Sequence, residues 1–173
     1  TQNPIESEGT YPLPEAQVDR FMLMVKVEYP TIQEERQIIE RITCPTPSKA
    51  SQVASLEELL EARAVVRDIY MDDRVKDYIV SVVHSTRHPD GHGLKELSPL
   101  IHYGASPRAS IALALAGKAH AFLRRRGYVT PEDIKAIGPD VLRHRLVLSY
   151  EAEAEEVTAD QIVRRVFEAV EVP

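Results

Sequence analysis

The sequence has no tryptophan and only one cysteine, and no apolar stretch in it approaches the length of a membrane span. The single cysteine, Cys44, excludes an intrachain disulfide and permits a reducing compartment. Because a bilayer-crossing helix needs about twenty apolar residues, no membrane-spanning segment is expected. The formal net charge of −6 argues against broad binding to nucleic acid, which usually requires a basic surface.

A phosphate-binding loop is also absent from the 173 residues. Such a loop follows the pattern G-x-x-x-x-G-K-[ST], in which backbone amides close around the phosphates and lysine reaches the outer ones. The one Gly-Lys pair, Gly117-Lys118, precedes an alanine, and Ala112 stands where the first glycine would be. No apolar run ends in an acidic pair that would hold Mg²⁺. We therefore expect no ATP hydrolysis by the chain alone.

What remains is the pattern of a mainly α-helical protein with one strand. Phe21 to Val27 is nearly continuous in apolar residues, which is typical of a strand buried on both faces of a parallel sheet. Helix starts are predicted by four capping patterns. They are Thr31 to Glu34, Ser55 to Glu58, Ser106-Pro107 and Thr130 to Asp133.

Two further helices are predicted by apolar residues at helical spacing. Their buried faces comprise Val75, Tyr78, Ile79, Val82 and Val83 in one, and Ile162, Val163, Val166, Phe167 and Val170 in the other. Between the helices we expect loops at residues 43–55 and 87–106, and a brief extended segment at residues 145–149. Gly127 is expected to end the helix that begins at Ser106, and the acidic residues 151–156 are expected to form a solvated connection.

Arg108 is singled out by its position in the first turn after Ser106-Pro107. The helix dipole is positive there, and unpaired backbone N–H groups attract anions, so a cation is unfavourable unless a negative group arrives. A phosphate would satisfy both the amides and the guanidinium. The alternative is an ordinary salt bridge to a nearby Asp or Glu.

Three segments resemble the MoxR family of AAA+ ATPases. Thr1 to Pro4 is similar to the sensor 1 segment, Glu8 to Phe21 to the stretch that ends in the arginine finger, and Tyr103 to Ala109 to sensor 2. Weaker similarities lie at Thr86 to Pro89, Tyr128 to Asp133 and His144-Arg145. The resemblance extends over essentially the whole chain.

The resemblance implies a role for three residues. Asn3 would orient the attacking water or contact the γ-phosphate, and Arg108 would contact the γ-phosphate from the lid domain of the same subunit. Arg20 would be the finger that reaches a neighbouring subunit. Without the resemblance, Asn3 would be a turn residue before proline, and Arg20 a charge paired with Asp19 or Glu15.

The implied architecture is a remnant of the α/β nucleotide-binding domain at residues 1–30, followed by an α-helical AAA+ lid domain at residues 31–173. The implied whole protein is a cytoplasmic ring ATPase, expected to be hexameric. It would use ATP and Mg²⁺, bound mainly by a preceding half. Implied partners are a von Willebrand A domain protein and a client complex undergoing maturation or metal insertion. The alternatives are a magnesium-chelatase-like or DNA-remodelling ring ATPase, or a free-standing helical interaction module.

Two polar clusters are interpreted as structural. His84, His88, Asp90 and His92, with His102 nearby, include metal-binding residue types, but Pro89 interrupts any helix and the spacing fits no known ligand set. No metal site is therefore predicted. The three arginines at 124–126 are expected to end a helix, where the dipole favours cations, and not to bind nucleic acid.

Overall fold

A computed structural model of the chain describes residues 13–44 and 49–173. In chain order its elements are α1 (Glu15–Val18), α2 (Ile32–Ile42), α3 (Leu56–Asp68), α4 (Asp73–Arg87), β1 (Ile101–Tyr103), α5 (Pro107–Leu123), α6 (Pro131–Leu142), β2 (Val147–Leu148), α7 (Tyr150–Ala154) and α8 (Ala159–Ala169). The mainly α-helical class is confirmed. No helix in the described ranges is long and apolar enough to cross a bilayer.

The described residues form two compact units, one at Val25–Asp68 and one made of residues 13–24 and Ile69–Pro173. The smaller unit contains α2 and α3. Its helix starts are those predicted: the Thr31 amide donates to Glu34 Oε2 at 2.8 Å, and the Ser55 amide donates to Glu58 Oε2 at 2.6 Å. The division into domains at residue 30 stays a prediction.

The larger unit carries the hydrophobic core. Helix α5 packs against α4 and α6, and α8 contacts both α4 and α6. The predicted buried face of α4 is confirmed, and all five residues predicted for the buried face of α8 are buried, with Val170 just after its last residue. The largest fully buried apolar side chains are Val82, Val83, Leu97, Leu113, Ile134, Val141, Leu142, Ile162, Val163 and Val166.

The long segment between α4 and α5, which was predicted as a loop, contains regular secondary structure. It contains 3₁₀ turns at Pro89–His92 and Lys95–Leu97 and then strand β1. Strand β1 pairs antiparallel with β2, which confirms the extended segment predicted near residue 147. This pairing fixes the chain that leads into the start of α5.

Three local predictions are wrong. Phe21 to Val27 does not form a strand, and its apolar side chains are largely exposed, with Val27 at 91%. Helix α5 ends at Leu123, and the left-handed residue that follows is Arg125 (φ 57°), not Gly127. Of the acidic stretch at residues 151–156, which is exposed as predicted apart from Ala152, the first four residues lie in helix α7, because the Ser149 side chain caps it by accepting from the Ala152 amide at 3.3 Å.

Candidate functional site

The start of α5 is fastened to the end of α4. Thr86 Oγ1 accepts a hydrogen bond from the Ala105 amide at 3.0 Å and donates one to the Val83 carbonyl at 2.7 Å. Gly104 permits this approach, because a Cβ at that position would lie 2.3 Å from the Thr86 carbonyl oxygen. The N-terminus of α5 therefore has a fixed position in the larger unit.

Ser106 caps α5 and also binds a carboxylate. Its Oγ accepts a hydrogen bond from the Arg108 amide at 3.2 Å and donates to Asp19, whose two carboxylate oxygens both lie 3.0 Å away. Asp19 thus stands at the positive end of the α5 dipole. Its negative charge compensates the positive charge of Arg108 at this helix end.

Two arginines flank the Asp19 carboxylate. Arg108 Nη1 lies 3.0 Å from Oδ2, and Arg145 Nε lies 3.2 Å from Oδ1. The salt-bridge alternative for Arg108 is therefore realised. Burial alone would raise the pKa of Asp19, but hydrogen bonds from Arg108 and Ser106, together with the charge of Arg145, outweigh it and hold the pKa below its usual range.

Arg145 is the buried member of this cluster, with a side chain only 2% exposed. Its guanidinium also donates to backbone carbonyls of the segment after α1: Asp19 at 3.2 Å, Phe21 at 2.5 Å and Met22 at 3.2 Å. One side chain therefore holds both the Asp19 carboxylate and the backbone on either side of Arg20.

The same interactions explain why Phe21 to Val27 is not a strand. His144 Nε2 donates to the Phe21 carbonyl at 3.0 Å, and Arg143 Nη1 donates to the Met24 carbonyl at 2.7 Å. The Met24 amide in turn donates to the Asp140 carbonyl at 2.8 Å. Groups at the end of α6 thus supply hydrogen bonds that a neighbouring strand would otherwise supply.

Arg20 and Arg108 line one shallow cavity of about 170 Å³. Its other lining residues are Asp19, Met22, Ile111, Ala112, Leu115 and Arg145. Arg20 is exposed and forms no ion pair within residues 13–44 and 49–173, so its expected pairing with Asp19 or Glu15 is not found there. The cavity is therefore lined by Arg108, which is paired with Asp19, and by Arg20, for which the described residues provide no ion-pair partner.

Of the three predicted site residues, the structure brings Arg20 and Arg108 together, and Asn3 lies outside the described residues. The contacts that Asp19 and Arg145 make with these residues were not predicted from the sequence. The adjacent pair Asp19-Arg20 was visible in the sequence, but no local pattern connects it with a helix start so far along the chain.

The histidine cluster and the arginine cluster each contain short contacts. His84 Nδ1 and His92 Nε2 lie 3.1 Å apart, but no group of three or more metal-binding side chains is found in the described part of the chain. Arg126 is bound to the Asp133 carboxylate, with Nη1 2.8 Å from Oδ2. Its expected place in the last turn of α5 was wrong, since that helix ends at Leu123.

Comparison with known proteins identifies the family. The AAA lid domain family matches residues 95–166, and the family "ATPase family associated with various cellular activities (AAA)" matches residues 1–23. Chaperone MoxR1 of Mycobacterium tuberculosis is 44% identical over 173 residues, which is all of this chain and 46% of that protein. The chain belongs to the MoxR family of AAA+ ATPases.

Further relatives agree with this MoxR assignment. Protein MoxR of Methylorubrum extorquens is 28% identical over 99% of the chain and 54% of its own length. A candidate ATPase of Cytophaga hutchinsonii has a solved structure that superposes with a TM-score of 0.95 at 40% identity, over all of this chain and 53% of that one. The chain thus spans about half the length of the relatives it matches. The lid match contains Arg108, Asp133 and Arg145.

Proposed function

We propose that this chain supplies the nucleotide-sensing and trans-acting residues of a ring ATPase of the MoxR type. ATP and Mg²⁺ would be its cofactors, held mainly by a phosphate-binding loop and acidic pair that these 173 residues lack. Asn3, Arg20 and Arg108 would contact the outer phosphate or its attacking water.

The observation that supports this proposal is the cavity shared by Arg20 and Arg108. A transferring phosphoryl group spreads negative charge over its outer oxygens, and guanidinium groups positioned beforehand stabilise that charge. Arg108 also stands in the first turn of α5, where the helix dipole is positive and favours an anion. Because both arginines line one cavity, a phosphoryl group bound there would lie near both of them.

The wider role in this proposal comes from the family. We propose a homo-oligomeric, hexameric ring in the cytoplasm that couples hydrolysis to chaperone-like maturation of, or metal insertion into, a client complex. A von Willebrand A domain protein would be its partner. DNA remodelling is less well supported, because the net charge is −6 and Arg126, of the arginine cluster, is bound to Asp133.

The test is subunit mixing in an ATPase that carries this chain together with a phosphate-binding half. We expect Arg20→Ala and Arg108→Ala each to reduce kcat, since an arginine finger contributes on the order of 10³–10⁵ in rate. Mixing Arg20→Ala subunits with subunits defective in the Mg²⁺-binding acid should restore activity, because some interfaces then combine an intact site with an intact finger. For Arg108 the family resemblance implies action within the same subunit, which predicts no rescue of its variant by this mixing, whereas the cavity shared with Arg20 predicts rescue.

The control mixes two copies of the same defective subunit, which should give no recovery. If mixed rings are confirmed by mass spectrometry and activity does not return, Arg20 is a structural charge and the trans role is wrong. The chain alone should show no ATP turnover, and turnover in a contaminant-free preparation would contradict the assignment of the catalytic half to other residues.

A further inference from the structure

Asp19 connects the two arginines of the candidate site. It precedes Arg20 directly and accepts hydrogen bonds from Ser106, Arg108 and Arg145. Its side chain is 18% exposed, against 57% for Arg108. A mostly buried carboxylate thus holds a mostly exposed guanidinium.

The geometry points to Asp19 as a positioning residue that fixes Arg20 and Arg108 as one unit around a single phosphoryl group. This inference rests on the proposed function of the two arginines. Asp19 itself does not touch the phosphoryl group. It acts through Arg108, to which it is bound, and through the backbone that carries Arg20.

Arg108 has enough hydrogen-bond donors to bind Asp19 and a phosphate at the same time. A guanidinium has five N–H donors, and Asp19 takes a single nitrogen, Nη1, at 3.0 Å. The remaining donors of this half-exposed side chain are available to an anion in the cavity. Asp19 therefore restricts the rotamers of Arg108 without occupying its binding face, which lowers the entropy lost when a phosphate binds.

The position of the Asp19 carboxylate is fixed by other groups, so it does not move with Arg108 when a ligand binds. Ser106 Oγ bonds both of its carboxylate oxygens, and Arg145 bonds Oδ1 and the Asp19 carbonyl. Since Arg145 also bonds the Phe21 carbonyl, the backbone is fixed on both sides of Arg20. The Asp19 carboxylate thus holds Arg108 directly, and it holds the backbone around Arg20 through Arg145.

The experiment compares Asp19→Asn with Glu15→Gln, an equal change of charge at an exposed residue of α1. In the ring ATPase, Asp19→Asn should lower kcat by about 10²-fold with KM for ATP changed less than about threefold, because misplacing a catalytic group by about 1 Å costs on that order. Glu15→Gln should leave both constants unchanged. Unchanged kcat in Asp19→Asn would overturn the inference.

A second measurement uses the chain itself, with inorganic phosphate as the probe and the guanidinium N–H signals of Arg20 and Arg108 followed by NMR. In the wild-type chain both signals should shift with one midpoint, and in Asp19→Asn the two should shift with different midpoints or Arg20 should stop responding. Joint titration in both proteins would contradict the inference. If Asp19→Asn does not fold, Ser106→Ala should separate the two midpoints in the same way, because it removes the hydrogen bond from Ser106 to Asp19.

The two proposals fail in different ways. If Arg20→Ala and Arg108→Ala keep full activity and phosphate shifts neither signal, the phosphate site itself is wrong, and the inference about Asp19 falls with it. If the arginine variants are inactive while Asp19→Asn behaves like Glu15→Gln, the site stands and only the positioning role is refuted.

Discussion

Replacing Asp133 with asparagine tests the buried ion network that joins α5 to α6. The Asp133 side chain is 1% exposed and lies against two basic side chains. It accepts hydrogen bonds from His120 Nδ1 at 2.7 Å, Arg126 Nη1 at 2.8 Å and Nη2 at 2.5 Å, and the Thr130 amide at 2.8 Å. Asparagine keeps the shape but removes the charge and turns one oxygen acceptor into a donor.

The expected loss of stability depends on the basic side chains that lose the Asp133 charge. Removing one member of a buried ion pair typically costs about 3–5 kcal/mol, because the remaining charge is uncompensated. The Arg126 side chain is 28% exposed and can recover part of its hydration, so we expect the lower end, about 3 kcal/mol. At about 2–4 °C per kcal/mol for a chain of this size, Tm should fall by about 6–12 °C.

Urea unfolding at pH 7 followed by circular dichroism measures this loss, and hydrogen exchange of the amides of α6 locates it in the larger unit. Asp77→Asn is the matched control, since Asp77 is exposed on α4 and such substitutions usually change stability by less than about 0.5 kcal/mol. Adding Arg126→Met to Asp133→Asn should recover part of the loss by removing the unpaired cation.

A loss below about 1 kcal/mol for Asp133→Asn, or one equal to that of Asp77→Asn, would refute the reasoning. It would show that the charge of Asp133 is not what holds the end of α5 to the start of α6.

Two further predictions concern packing and pH. Gly104→Ala should destabilise the larger unit by about 1–3 kcal/mol in urea unfolding, because the new Cβ would meet backbone atoms of Thr86. Gly91→Ala, whose Cβ would meet nothing within 4 Å, should be nearly neutral in the same assay. Stability should fall in acid, because the folded-state pKa values of Asp19 and Asp133 lie below the ordinary value of about 3.9. The stability that these two carboxylates contribute is complete above about pH 5 and is lost as pH falls through their folded-state pKa values. Between pH 7 and pH 2, Tm should therefore decline less steeply in Asp133→Asn than in the wild-type chain. Equal slopes in the two proteins would contradict this assignment.

The sequence by itself determined the starts of α2, α3, α5 and α6 and the buried faces of α4 and α8, because these signals are local. Caps such as Thr31 with Glu34 and Ser106 with Pro107 satisfy the first free amides of a helix from residues at most three positions away. The apolar spacing of α4 and α8 then identified their buried faces. The sequence also identified Arg108 as a cation at a helix start that needs a negative partner.

Only the tertiary structure decided which groups meet across long separations. The apolar run after Phe21 has the composition of a buried strand, yet its carbonyls bind His144, Arg145 and Arg143, because side chains at the end of α6 reach them in the folded molecule. The partner of Arg108 is likewise Asp19, which no spacing rule connects with α5. Local propensity depends on neighbouring residues, whereas these contacts depend on the packing that brings distant segments together, and the candidate site is built from such contacts.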